Sequence, residues 1–110
     1  MPVWQKANKL ATEIFQLTVP LPRSEDYGLT SQIRRSSNSV SGNIAEGFGR
    51  HTSKDKSFFY TIARGSAFET QSHLLYGQQV EYFKPENVEA TYQAYNSLIL
   101  ELNRLMRALG

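Results

Sequence analysis

The sequence contains no cysteine, and this absence removes several kinds of chemistry at once. Disulfide bonds, a thiol nucleophile and thiolate ligation of zinc are all excluded. Long apolar runs are missing as well, since no stretch approaches the roughly 20 apolar residues that a membrane-spanning helix needs. The first residues interrupt their apolar pattern with lysines and a glutamate, unlike a secretory signal peptide. We therefore expect a cytoplasmic protein with no membrane partner.

Net charge is small, +2 over 110 residues, so the total charge does not indicate a polyanionic partner. Its distribution is uneven, because the middle third is basic and the remainder is slightly acidic. We predict that the basic residues of this region form a surface for RNA or DNA, in part around one inter-helix loop. The alternative is an ordinary solvated loop. The predicted nucleic-acid-binding residues are Arg34, Arg35, Arg50, Lys54, Lys56 and Arg64.

Prolines and glycines divide the chain into four segments, each of helical length. Ser24 and Ser53 are predicted N-caps of the second and third helices, and Pro85 suits the first turn of the fourth. The predicted helices cover residues of about 3–19, 25–47, 54–81 and 86–109. We predict one all-α domain over residues 1–110, an antiparallel up-down-up-down four-helix bundle.

Core positions of a bundle helix should repeat alternately at three and four residues. The first and fourth segments do so with apolar residues throughout. The second and third carry small or polar residues at several such positions, which we interpret as two closely packed helices whose polar atoms satisfy one another. The predicted core stripes are Val3, Ala7, Leu10, Ile14, Leu17; Leu29, Ile33, Ser36, Val40, Asn43, Gly47; Phe58, Ile62, Gly65, Glu69, Ser72, Tyr76; and Val88, Tyr92, Tyr95, Ile99, Leu102, Met106, Leu109.

Phe68 and Leu75 lie away from the predicted core stripe of the third helix and form a second apolar face. One bundle face does not need them, so this second face predicts self-association.

Glu69 is the most conspicuous candidate for chemistry, because it lies on the predicted core stripe of the third helix with His73 four residues later on the same face. A buried carboxylate needs a partner. The favoured interpretation pairs Glu69 with His73 or with a basic or hydroxyl group of the second helix. A metal site is the lesser alternative, since di-iron bundles use Glu-x-x-His from two helices. We predict no catalytic residue, no metal and no cofactor.

Several long motifs resemble one family. GLTSQIRR, NIAEGFGR and IARGS followed by a glutamate are similar to the four-helix bundle proteins encoded in intervening sequences of bacterial 23S ribosomal RNA genes. The chain is also similar to the accessory variability determinant proteins of diversity-generating retroelements, basic pentamers that bind nucleic acid and a reverse transcriptase. The resemblance implies a bacterial cytoplasmic homopentamer without established enzymatic activity. It implies nucleic-acid contacts at Arg34, Arg35, Arg50 and Arg64.

Two functions remain open from the sequence. The first is a non-enzymatic oligomer that binds RNA or DNA through phosphates without reading base edges. The second is a protein-interaction scaffold with no nucleic-acid role.

Overall fold

Four α-helices and one short 3-10 turn make up the protein, shown here by a computed structural model that describes residues 1–110. No strand is present. None of the helices combines the length and apolarity needed to cross a bilayer. The helices are α1 (Pro2–Thr18), α2 (Leu29–Phe48), α3 (Ser53–Gln79) and α4 (Pro85–Ala108), and the 3-10 turn is Arg23–Glu25.

Each helix packs on the next along the chain, and α4 packs back on α1. In the diagonal pairs, α1 with α3 and α2 with α4, no Cα atoms come within 8 Å of each other. Because the connections are short, consecutive helices run antiparallel and give a rod of 43 × 24 × 18 Å. The predicted up-down-up-down four-helix bundle is confirmed.

The predicted N-caps need correction. Ser24 lies inside the 3-10 turn, and α2 begins only at Leu29, whose backbone N–H donates to the carboxylate of Glu25 at 3.0 Å. The N-cap of α3 is Thr52 rather than Ser53, and its side-chain oxygen accepts from the backbone N–H of Asp55 at 3.1 Å. The start of α4 at Pro85 is as predicted.

The apolar stripes of α1 and α4 face the core as predicted. Ala7, Leu10 and Ile14 of α1 are buried, as are Tyr95 and Leu102 of α4. The stripe of α2 is confirmed except at Asn43, which is half-buried while the neighbouring Ile44 is buried; the small residues Ser36 and Gly47 are buried together with the aliphatic ones. Their burial explains why α2 tolerates a run of serines and glycines, because tertiary packing outweighs weak helix propensity.

The predicted core stripe of α3 is wrong. Phe58, Ile62 and Tyr76 are exposed, and Glu69 is only partly covered. The side of α3 that faces the core is offset from the predicted stripe by one or two residues. The residues on this side are Tyr60, Ala63, Ala67, Thr70, Gln71, Leu74 and Gly77. Alanine and glycine at this face let α3 approach its neighbours closely, whereas the large residues of the predicted stripe are left on the outside.

Polar atoms in the α2–α3 seam satisfy one another, as the sequence indicated. Ser36 Oγ and Thr70 Oγ1 lie 2.8 Å apart in the core, and the hydroxyl of Ser66 donates to that of Ser39 at 3.0 Å. Elsewhere in the core, the hydroxyls of Thr30 and Tyr95 are buried without a partner. Burial raises the pKa of the Tyr95 phenol, and the charge of Glu13 acts in the same direction.

Candidate nucleic-acid interface

The α2–α3 loop brings together three of the six predicted basic residues. The ammonium group of Lys56 donates to the backbone carbonyls of Gly47 and Phe48 at 3.4 and 2.8 Å, so it satisfies the end of α2. Arg50 lies over the ring of Phe59 at 4.5 Å. It also pairs with Glu46 at 3.7 Å. Lys54 is exposed and makes no side-chain contact of this kind.

Arg34 and Arg35 lie elsewhere, about 22–24 Å from Arg50 along the helix axis at 1.5 Å per residue. Nε of Arg34 donates to Thr18 Oγ1 at 2.8 Å. Arg35 forms an ion pair with Glu69 of α3. The six predicted residues are therefore not one continuous patch.

Arg64 faces another side of the bundle, because its Nη1 donates to Asn103 Oδ1 of α4 at 2.8 Å. Its contact fixes α3 against α4. A hydroxyl–sulfur contact of 3.5 Å between Thr61 and Met106 does the same one turn away. These contacts bring the last turns of α4 beside the first turns of α3.

The antiparallel arrangement adds two arginines that did not stand out in the sequence. Arg104 and Arg107 lie in the last two turns of α4, at the same end of the bundle as the α2–α3 loop. Neither has an ion-pair partner among the four ion pairs of the structure. The predicted topology could have identified them, because an up-down bundle places the end of its fourth helix beside its second loop.

Charge is consequently segregated along the rod. We call the end with the α2–α3 loop and the C-terminus of α4 the basic end, and the opposite end the acidic end. Glu101, one turn inside the basic end, is paired with Lys6 at 3.4 Å. The basic end carries Arg50, Lys54, Lys56, Arg104 and Arg107 against Glu46 and Asp55, whereas the acidic end carries Glu25, Asp26, Glu81, Glu86 and Glu89 against Arg23 and Lys84.

Glu69 makes both of the predicted structural contacts. Its carboxylate pairs with Arg35 of α2 and lies 3.3 Å from Nε2 of His73. The predicted pairing of Glu69 with His73 and with a basic group of α2 is confirmed, although the carboxylate is partly exposed rather than buried in the core. The structure contains no group of three or more histidine, aspartate or glutamate side chains close enough to share a metal ion.

A bundle of four antiparallel helices with oppositely charged ends defines a small helical bundle protein. The profile of one family, described as 23S rRNA-intervening sequence protein, matches residues 1–104. The chain belongs to this family.

A solved structure supports the fold. It is the crystal structure of a protein of unknown function from the S23 ribosomal protein family of Bacteroides thetaiotaomicron. The TM-score is 0.84 at 23% sequence identity, and the match covers 94% of this chain and 97% of that one. No curated protein sequence matches this chain. At this level of identity, the structural match shows that the two proteins share the same arrangement of helices.

Proposed function

We propose that this protein is a non-enzymatic homo-oligomer that binds RNA or DNA through the phosphate backbone at its basic end. The observation that carries the proposal is the segregation of charge along the rod. A basic surface attracts phosphates by charge and by counterion release, without reading the base sequence. The proposal includes a cytoplasmic location, as expected from the sequence.

Three side chains of the basic end are free to contact phosphates. Lys54, Arg104 and Arg107 form no ion pair or side-chain hydrogen bond within the chain. Arg50 and Lys56 add positive potential, although part of their hydrogen-bonding capacity is used inside the bundle. The acidic end repels phosphate, so a nucleic acid would approach the rod from one end only.

Self-association is supported by the outer stripe of α3, which we define as Phe58, Ile62, Phe68, Leu75 and Tyr76. All five side chains are exposed, with Phe68 and Leu75 on the face beside Phe58, Ile62 and Tyr76. Several large apolar side chains exposed on one helix indicate a protein–protein contact. A closed ring of five copies, as the family resemblance implies, would cover the stripes and repeat the basic end five times. Repetition would strengthen binding to a long polyanion.

The absence of enzymatic activity is also part of the proposal. Its support is that the side chains best suited to chemistry are already engaged, since Glu69 pairs with both Arg35 and His73. No serine lies within hydrogen-bond distance of a histidine, which a nucleophile–base pair would require.

Charge reversal at the two ends tests the proposal. The double variant K54E/R107E changes two free cations of the basic end, and its matched control, R23E/K84E, makes the same change of net charge at the acidic end. Binding of a labelled duplex is followed by fluorescence anisotropy at several salt concentrations. We expect the first variant to bind more weakly and to lower the salt slope by about 1.8, because each lost phosphate contact removes about 0.9. A wild-type affinity that does not change with salt concentration would contradict the proposal. So would an equal loss of affinity in the two variants.

The oligomer is tested separately by sedimentation equilibrium. Phe68→Asp places a charge in the outer stripe, and Leu100→Asp does so on α4, where the replaced leucine is similarly exposed (57% against 53%). We expect the mass to fall to that of the monomer, 12.5 kDa, only for Phe68→Asp. A wild-type mass of 12.5 kDa would rule out self-association.

The outer stripe also favours a second candidate function, a scaffold that binds another protein. This candidate predicts no salt-sensitive binding of nucleic acid. It also predicts that Phe68→Asp abolishes capture of one stoichiometric partner from the natural host. The anisotropy titration separates the two candidates.

A further inference from the structure

A groove lined mostly by polar residues runs along the surface between α1 and α2, away from the basic end. Its volume is about 490 Å³, within the range of roughly 300–1,000 Å³ for clefts that hold small ligands. Asn8 and Thr12 line it from α1, and Asn38 lines it from α2. Arg34 and the ring of Phe15 line the same groove.

Arg34 is held in place by two contacts that leave its outer nitrogens free. Its Nε donates to Thr18 Oγ1 at 2.8 Å, and its guanidinium carbon lies 4.3 Å from the centre of the Phe15 ring. The Thr18 hydroxyl is buried and lies 2.9 Å from the carbonyls of Ile14 and Phe15, to which it donates, so it accepts from Arg34. The two terminal nitrogens have no partner in the chain. A fixed arginine with two free terminal nitrogens is suited to bidentate contact with an anion.

The charge of the groove agrees with this interpretation. No carboxylate lines it, and Arg35, which also borders it, is already neutralised by Glu69. A groove of similar volume, 520 Å³, lies between α1 and α4. That groove is lined by Glu13 and contains no cation. Of these two grooves, only the one with Arg34 has a cation to hold an anion.

Phe15 supplies a flat surface beside the free guanidinium nitrogens. Its side chain is 49% exposed although it is aromatic, and one ring face is covered by Arg34. Nucleobases stack on exposed aromatic rings and on arginine planes. The side-chain amides of Asn8 and Asn38 make no hydrogen bond within the chain and border the same space. They can donate to or accept from the edge of a base.

We propose that this groove binds a nucleotide unit with an exposed base, its phosphate on Arg34 and its base stacked against the Phe15–Arg34 pair. This inference rests on the proposed function and specifies the form of nucleic acid. In a duplex the base faces are stacked on one another and cannot reach the ring. The groove therefore takes single strands, whereas the basic end takes single strands and duplexes alike.

Anisotropy titrations with a short labelled oligothymidylate and with a duplex of equal length test this inference. Phe15→Leu keeps an apolar side chain but removes the ring, and Arg34→Lys keeps the charge but removes the planar fork. We expect each to weaken binding of the single strand by about fivefold or more, because one base stack is worth at least about 1 kcal/mol, and to leave duplex binding unchanged. Tyr27→Leu is the matched control, since Tyr27 is 95% exposed and outside the groove.

Thymidine monophosphate is titrated in parallel, because the groove could take either a free nucleotide or a nucleotide unit within a strand. Saturable binding that Phe15→Leu abolishes assigns the groove to free nucleotides. Binding of the oligonucleotide alone, with the same sensitivity to Phe15→Leu, assigns it to a strand.

Three results would overturn the inference: unchanged binding of the single strand by both variants, equal loss for single strand and duplex, or a fall in oligomer mass without loss of binding. The last result would make Arg34 a contact to a second copy of the chain. Failure of the wild type to bind any nucleic acid would instead refute the proposed function itself. Thermal melting of each variant establishes that it folds.

Discussion

Gly47 marks a close approach of α2 to α3, and replacing it with alanine probes that approach directly. An added Cβ would lie 2.7 Å from Cε1 and 3.0 Å from Cδ1 of Tyr60. It would also lie 3.2 Å from the backbone carbonyl oxygen of Lys56. Tyr60 is buried, so its ring has no open space into which to move. Gly42, on the same helix, has no atom within 4 Å of an added Cβ and serves as the matched control.

The two substitutions should change the free energy of unfolding in opposite directions. Gly42→Ala gains helix propensity without a clash, which should stabilise the protein by about 0.5–1 kcal/mol. Gly47→Ala gains less, since it lies in the last turn of α2, and overpacking a core contact costs about 1–3 kcal/mol. We expect Gly47→Ala to lower the free energy of unfolding by about 1–2 kcal/mol. The midpoints of thermal unfolding of the two variants should then differ by about 10 °C.

Urea denaturation followed by far-UV circular dichroism measures the difference. The variants are compared at one protein concentration, because self-association would make the midpoint depend on concentration. The m-value should stay unchanged, which attributes the shift to stability. If Gly47→Ala were as stable as Gly42→Ala, the α2–α3 contact would not be as tight as the structure describes.

Three further predictions concern local contacts. Thr52→Ala should cost about 1 kcal/mol in urea denaturation through loss of the N-cap, whereas Ser53→Ala should be nearly neutral; the reverse order would restore Ser53 as the cap. Burial raises the pKa of Tyr95 above its ordinary 10.0, so the unfolded chain loses this proton first. Stability should therefore fall above about pH 10, and Tyr95→Phe should reduce the fall in thermal melts. Glu69→Gln should cost no more than about 1 kcal/mol, because its ion pair with Arg35 is partly exposed; a loss of about 3 kcal/mol would indicate a buried charge.

Periodicity predicted three of the four helix faces and failed on α3 for a physical reason. In α1 most of the apolar residues recur at three- and four-residue spacing, so the stripe of Ala7, Leu10 and Ile14 outweighs the partly exposed Trp4 and Phe15. Helix α3 has apolar residues on two sides. The larger ones, such as Phe58 and Phe68, are exposed, whereas alanines face the core. Summed hydrophobicity favours the side of α3 with the larger side chains. Close packing against α2 instead requires the side with the smaller side chains to face inward.

The candidate interface was predicted in part. Clustering along the sequence identified Arg50, Lys54 and Lys56 correctly as neighbours, because a short loop keeps them together. It also grouped them with Arg34, which the rise of a helix places about 24 Å from Arg50. Arg107 was missed, since it is distant in sequence and joins the basic end only through the antiparallel return of α4.

The sequence by itself determined that four helices form and, to within a few residues, where most of them begin and end. Those features depend on local chemistry: backbone restrictions at proline and the spacing of apolar residues. Tertiary structure alone decided which side of α3 faces inward and which charges share an end of the rod. It also decided that Arg34 and Phe15 meet in one groove. These features depend on which helices pack together, and that is set by the fit of side chains far apart in sequence.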